Sequence, residues 1–199
     1  ALDRQPTHKL DAEALDKLDF DGLRHALEVE LLGASGLPFI FKNVICGFQA
    51  EYLSRVHPNS LFVWIRRDAE EVTRSILKCR QQRYGSHEAW WSLKPGSFAA
   101  LAQIRNPVQQ VAAQVDACVR EFECEFAKPG VRWMSVDYSE LLRDPGLVIA
   151  RVCDALRPFG STMAPLEVML PTLDPPASTA LRADLDAEVR AVFSSGRGR

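Results

Sequence analysis

Leu61-Phe62-Val63-Trp64-Ile65-Arg66-Arg67-Asp68-Ala69-Glu70-Glu71-Val72-Thr73-Arg74-Ser75-Ile76-Leu77 is the stretch on which the fold turns. Its first five residues form the most apolar run in the chain. The run is too short for a helix and rich in β-formers, and apolar side chains on both faces suit a central parallel strand. It stops at Arg66-Arg67-Asp68. Asp68 is predicted to cap a helix, with Glu71 three residues on completing a capping box. The helix is predicted to run from Ala69 to about Arg83, with Val72, Ile76 and Cys79 as its core stripe and Gly85 as its stop.

The same strand-then-helix grammar recurs on either side. Upstream, leucines at three-to-five spacing predict a helix from Asp11 to Leu32. The run Phe39-Ile40-Phe41, ending at Lys42-Asn43, predicts a buried strand, and a helix is expected over 48–56. Downstream, Pro107 opens a long helix reaching about Phe126. Val131 to Val136 predicts a third strand, ending at Asp137-Tyr138. A short helix over 139–142, the pair Asp144-Pro145 and a helix over 146–156 follow. Residues 158–176 read as irregular, 179–193 as an amphipathic helix, and 194–199 as a disordered tail. Strands separated by helices give an α/β fold, a parallel sheet flanked by helices, in a single domain over 1–199.

Composition narrows the function classes. The chain has 199 residues, 47% hydrophobic and 25% charged, the profile of an ordinary globule with enough length to bury a core. With a formal charge of −2, nothing global argues for nucleic acid or an anionic membrane surface as partner, and no nucleic acid is expected, so any anion site must be built locally. Cys46, Cys79, Cys118, Cys124 and Cys153 are odd in number and form no CxxC pair. They read as buried free thiols in a reducing, cytoplasmic setting, with no metal. No signal peptide and no membrane-spanning run is evident.

In an open parallel sheet, ligands bind beyond the carboxyl ends of the strands. There Arg67 offers a planar fork of donors, and the following helix offers free N–H groups. Ser75 sits two turns along, beside the Val72 and Ile76 stripe. Together they make a clamp for a phosphate. The plainer alternative is that Arg67 and Asp68 pair locally and cap the helix.

The stretch from Leu61 to Leu77 resembles the 3′-phosphate-binding signature of the sulfotransferase family: an apolar strand, an Arg, an Asp or Asn, and a Ser eight residues beyond the Arg. Arg67 and Ser75 stand at that separation. Val136-Asp137-Tyr138-Ser139-Glu140-Leu141-Leu142 with Asp144-Pro145 is similar to a second family element, with Ser139 where Glu is usual. His87-Glu88-Ala89-Trp90-Trp91-Ser92-Leu93-Lys94-Pro95 resembles a block of bacterial members. The likeness covers about 39–156.

The resemblance implies a P-loop NTPase-like three-layer fold. It also implies sulfonate transfer from 3′-phosphoadenylyl sulfate, without a metal, to a hydroxyl or amine on a small molecule, carbohydrate or lipid. It gives the 3′ phosphate to Arg67 and Ser75 and the adenine to Tyr138, whose alternative is a local hydrogen bond at a strand end. Lys42 would face the site or simply be solvated. Trp90 and Trp91 would shape an acceptor pocket or clasp the core. The cytosolic branch places a catalytic His two residues after the strand-end Lys, where this chain has Val44, leaving His87 and Glu88 as weaker candidates for the base. The family's Gly-Ser-Thr loop for the 5′-phosphosulfate has no counterpart here. Gly33-Ala34-Ser35-Gly36 has no strand before it, and 194–199 lies at an end. The expectation is weak or absent activity as given, from a missing front segment or, alternatively, in a degenerate relative that no longer transfers sulfonate. The competing classes are a nucleotide kinase-like enzyme and a non-catalytic scaffold that keeps the fold.

Overall fold

The computed structural model describes residues 6–33, 39–161, 163–164, 171–173 and 181–195. The Gly33–Gly36 turn, the tail 196–199 and most of the Pro-rich stretch after Ser161 lie wholly or partly outside them. The chain is mixed α/β and mostly helical. Its helices are α1 (Ala12–Asp16), α2 (Phe20–Gly33), α3 (Ala50–Val56), α4 (Ala69–Tyr84), α5 (Phe98–Leu101), α6 (Pro107–Phe126), α7 (Tyr138–Arg143), α8 (Pro145–Leu156) and α9 (Ala183–Ser195). Two strands, β1 (Phe62–Arg66) and β2 (Trp133–Asp137), pair in parallel with Phe62 opposite Trp133 and Arg66 opposite Asp137.

Two compact units emerge. One comprises Ala1–Lys9, Arg67–Glu121 and Asp174–Arg199; the other comprises Leu10–Arg66 and Phe122–Leu173. In the first, Leu77, Val108, Val111, Val115 and Val189 form a buried apolar cluster, with Val72, Ile76, Leu185 and Phe193 packed against it. These residues recur every three or four positions on α4, α6 and α9, so each helix turns one stripe inward. An Arg74–Asp186 ion pair, with Nε to Oδ1 at 2.7 Å, adds a polar tie between α4 and α9.

The second unit holds the sheet and an aromatic core. Phe62 and Trp64 alternate onto one face of β1. The Trp64 ring lies 5.6 Å from Phe126 and 6.0 Å from Phe122, and Phe126 stacks on Trp133 at 5.3 Å. Phe48 closes on Phe122 at 4.8 Å. Val63 and Ile65 fall on the other face and are exposed. Among the described residues β1 is therefore not a central strand covered on both faces; it pairs with β2 alone.

Three further expectations are corrected. Phe39–Phe41 is not a buried strand: the segment is irregular, and Phe39, Ile40 and Phe41 are exposed. A strand needs a partner edge, and here the chain turns away at once. The Asn43 side chain accepts the Ile45 N–H at 2.8 Å and leads into a 3₁₀ turn over Ile45–Gln49. The helix over 11–32 breaks in two because Asp19 caps a new start, its Oδ1 accepting the Gly22 N–H at 2.8 Å. Of the five free cysteines, only Cys118 and Cys153 are buried, and Cys124 is exposed.

Candidate functional site

The junction after β1 is built by local chemistry. Asp68 leaves the strand with extended ψ, and its Oδ1 accepts the Glu71 N–H at 3.0 Å, starting α4. Only half of the capping box forms, because the Glu71 carboxylate is turned the other way. It accepts Arg67 Nε at 2.9 Å. Among the described residues the amides of Ala69 and Glu70 carry no acceptor, as the first turn of a helix leaves them. At the other end of α4, Gly85 takes a left-handed conformation, φ 67°, and its N–H closes on the Gln81 carbonyl.

Arg67 and Ser75 are both half-buried. Glu71 and Ser75 are one helical turn apart on a single row, about 6 Å along the axis. The Arg67 guanidinium docks on the Glu71 end of that row. The structure thus sets Arg67 and Ser75 along one side of α4, with a carboxylate between them.

The other sequence candidates fall elsewhere. His87 is half-buried, and its Nδ1 lies 3.1 Å from the Leu77 carbonyl. A carbonyl can only accept, so Nδ1 carries a proton, and in the neutral imidazole the lone pair sits on Nε2. Leu77 is about 200° around α4 from Ser75, so His87 meets the helix on roughly the opposite side from the Arg67–Ser75 row. Glu88 is exposed. The Trp90 indole N–H donates to the Leu93 carbonyl at 3.2 Å, and the ring meets Phe98 edge-on at 4.7 Å. Trp91 lies under the Arg83 guanidinium at 4.0 Å and beside Tyr84. Tyr138 begins α7 and is half-buried; Lys42 is exposed in the irregular segment before the 3₁₀ turn, with no strand for it to end. Both belong to the unit that holds the sheet.

One feature of α4 escaped sequence reasoning. Arg80 is fully buried on the same face as Thr73 and Leu77. Its partners include Gln110 and Gln114, which are buried on α6. The available signal was an arginine at a core position of α4 and two glutamines, one turn apart, breaking an apolar helix face.

Among the described residues no group of three or more potential metal ligands clusters, and no helix is long and apolar enough to cross a membrane. Neither the curated proteins nor the solved structures yield a match. The model of the sulfotransferase family matches residues 4–158. That span includes the β1–α4 junction, the tryptophan segment and the β2–α7 element, and the chain belongs to the sulfotransferase family.

Proposed function

We propose that this protein takes part in sulfonate transfer from 3′-phosphoadenylyl sulfate to a hydroxyl or amine acceptor, with Arg67 and Ser75 holding the donor's 3′ phosphate. The observation that carries this reading is the shared side of α4: a strand-end guanidinium and a hydroxyl one turn beyond its partner Glu71, next to a helix start with two open amides. That set supplies charge, directed donors and a favourable dipole end for a phosphate dianion. Membership of the family supports the P-loop-like fold and the choice of donor.

In the reaction, the sulfur–oxygen bond to the donor's 5′ phosphate breaks as a bond from sulfur to the acceptor oxygen or nitrogen forms. The acceptor's proton passes to a base, and adenosine 3′,5′-bisphosphate leaves. Arg67 and Ser75 contribute binding and orientation at the far end of the donor, away from the reacting sulfur. Tyr138 is assigned to the adenine. Trp90 and Trp91 are assigned to the acceptor side, and Lys42 is a further candidate there. His87, with its Nε2 lone pair available, keeps the chemistry of a base, as does the exposed Glu88.

Thermal denaturation with ligands tests the reading. Adenosine 3′,5′-bisphosphate at a hundred times its Kd should stabilise the fold by about 2.7 kcal/mol, and ATP at the same concentration by much less. Arg67→Ala should abolish the difference. Equal shifts with both nucleotides would favour a nucleotide kinase-like enzyme, and no shift with either would favour a scaffold.

A further inference from the structure

Arg80 is an ion buried without a counter-ion among the described residues. The side chain is fully buried, yet among the described residues every partner that it has is neutral. Nη1 donates to Gln110 Oε1 at 2.8 Å and to the His87 carbonyl at 3.0 Å, and Nη2 donates to Gln114 Oε1 at 3.3 Å. The guanidinium carbon lies 5.5 Å from the centre of the Trp90 ring. Nε is buried with no partner among the described residues. Burial pushes the guanidinium down to about 10, the signature of a charge that its surroundings do not repay.

What the charge does is orient its neighbours. A guanidinium has donors only, so each glutamine must turn its oxygen toward Arg80 and its NH₂ away. The NH₂ of Gln114 then donates to the Trp91 and Leu93 carbonyls, both at 2.8 Å. The NH₂ of Gln110 donates to the Ile104 carbonyl at 3.0 Å and the Leu101 carbonyl at 3.4 Å. Through two amides and one direct bond, Arg80 fixes five backbone carbonyls between His87 and Ile104. This segment has only the single turn of α5 as regular structure. An apolar side chain at position 80 would fill the core without desolvating a charge, but it would leave both amides free to flip.

We propose that Arg80 is a positioning residue that sets the shape of the Trp90–Leu93 segment, so that acceptor recognition depends on a side chain that the acceptor never touches. The second half of this statement rests on the assignment of Trp90 and Trp91 to the acceptor side.

Gln114→Glu separates positioning from stability. It gives Arg80 a carboxylate partner but removes the NH₂ that holds Trp91 and Leu93. Protein labelled with 5-fluorotryptophan reports Trp64, Trp90, Trp91 and Trp133 individually by fluorine NMR. Gln114→Glu should leave the melting temperature within a few degrees of the parent and move the Trp90 and Trp91 resonances, with Trp64 and Trp133 unmoved. Arg80→Met should move the same two signals, and Arg80→Lys should restore them only in part, since an ammonium lacks the fork. A folded Gln114→Glu protein with all four resonances unmoved overturns the proposal. For the acceptor side the probe is 2-naphthol, followed by quenching of tryptophan emission. Its affinity should fall at least fivefold in Gln114→Glu, while the adenosine 3′,5′-bisphosphate shift persists. Undiminished naphthol affinity despite moved resonances, or no quenching of the parent, overturns the acceptor half and leaves the NMR result to decide the role of Arg80. Loss of the nucleotide shift from the parent protein overturns the donor reading instead.

Discussion

Arg67 Nε donates to Glu71 Oε2 at 2.9 Å, so the guanidinium assigned to the donor's phosphate rests against a carboxylate in the first turn of the helix that follows it. A phosphate arriving there must displace or share that partner. Half of the Glu71 side chain is exposed, and such a pair contributes little to stability, about 0.2–1 kcal/mol. Its cost to an incoming dianion is of the same size. Glu71→Gln keeps the backbone N–H that Asp68 caps and removes only the charge. Isothermal titration should show adenosine 3′,5′-bisphosphate binding about two- to fivefold more tightly to Glu71→Gln than to the parent, with Arg67→Ala abolishing binding in either background. Weaker binding to Glu71→Gln would mean that the pair holds Arg67 in its binding pose.

Gly47 lies where the 3₁₀ turn passes the aromatic core. A Cβ built there would stand 2.8 Å from Phe122 Cε1, and Phe122 is itself packed by Phe48, Trp64 and Phe126. Three rings already pack against Phe122 and limit how far it can shift, so Gly47→Ala should destabilise by about 1–3 kcal/mol. Urea denaturation followed by tryptophan emission measures this, and an unchanged midpoint would show that the turn yields instead.

The five thiols should separate by reactivity. Cys124 is exposed on α6, whereas Cys118, on the same helix, is buried, its thiol pushed up to about 12 by burial and the nearby Glu121 carboxylate. Thiolate is the reactive form. Brief alkylation of the native protein at pH 8, read by peptide mass spectrometry, should label Cys124 first and leave Cys118 and Cys153 unlabelled until denaturant is added. Early labelling of Cys118 would contradict the packing of α6.

What could be read in the sequence were elements whose signals are local. The β1 run, the Asp68 cap, the Gly85 stop, Pro107 opening α6, and the helix after Asp144-Pro145 each depend on neighbours within a turn. That Asp144 caps α8, accepting the Leu147 N–H at 2.9 Å, is a finding of the structure. Phe39–Phe41 misled because an apolar run carries no information on whether a strand edge awaits it. Asp19 split a helix because a carboxylate that can cap competes with continuing the helix through it. Arg80 stayed hidden for the opposite reason. Its burial is decided by Gln110 and Gln114, 30 and 34 residues further on, and no local pattern reports an amide that distant.

The docking of α9 should carry a measurable pH dependence. The Asp186 carboxylate is held below its ordinary range, chiefly by the hydrogen bond from Arg74 and further by that guanidinium's charge and by Arg190. A carboxylate whose folded value is depressed stabilises the fold fully above its unfolded value, near 3.8 here, and the benefit disappears as pH falls through the lower folded value. Arg74 keeps its charge throughout, so protonation of Asp186 alone breaks the tie between α4 and α9. Melting temperatures of the parent should therefore fall between about pH 4.5 and pH 2.5 more steeply than those of Asp186→Asn, which lacks the titrating group. The two curves should converge at the acid end, where the parent is protonated and has lost the same interaction. Parallel curves over that window would show that Asp186 contributes nothing to holding α9, leaving the work to Val189 and its apolar neighbours.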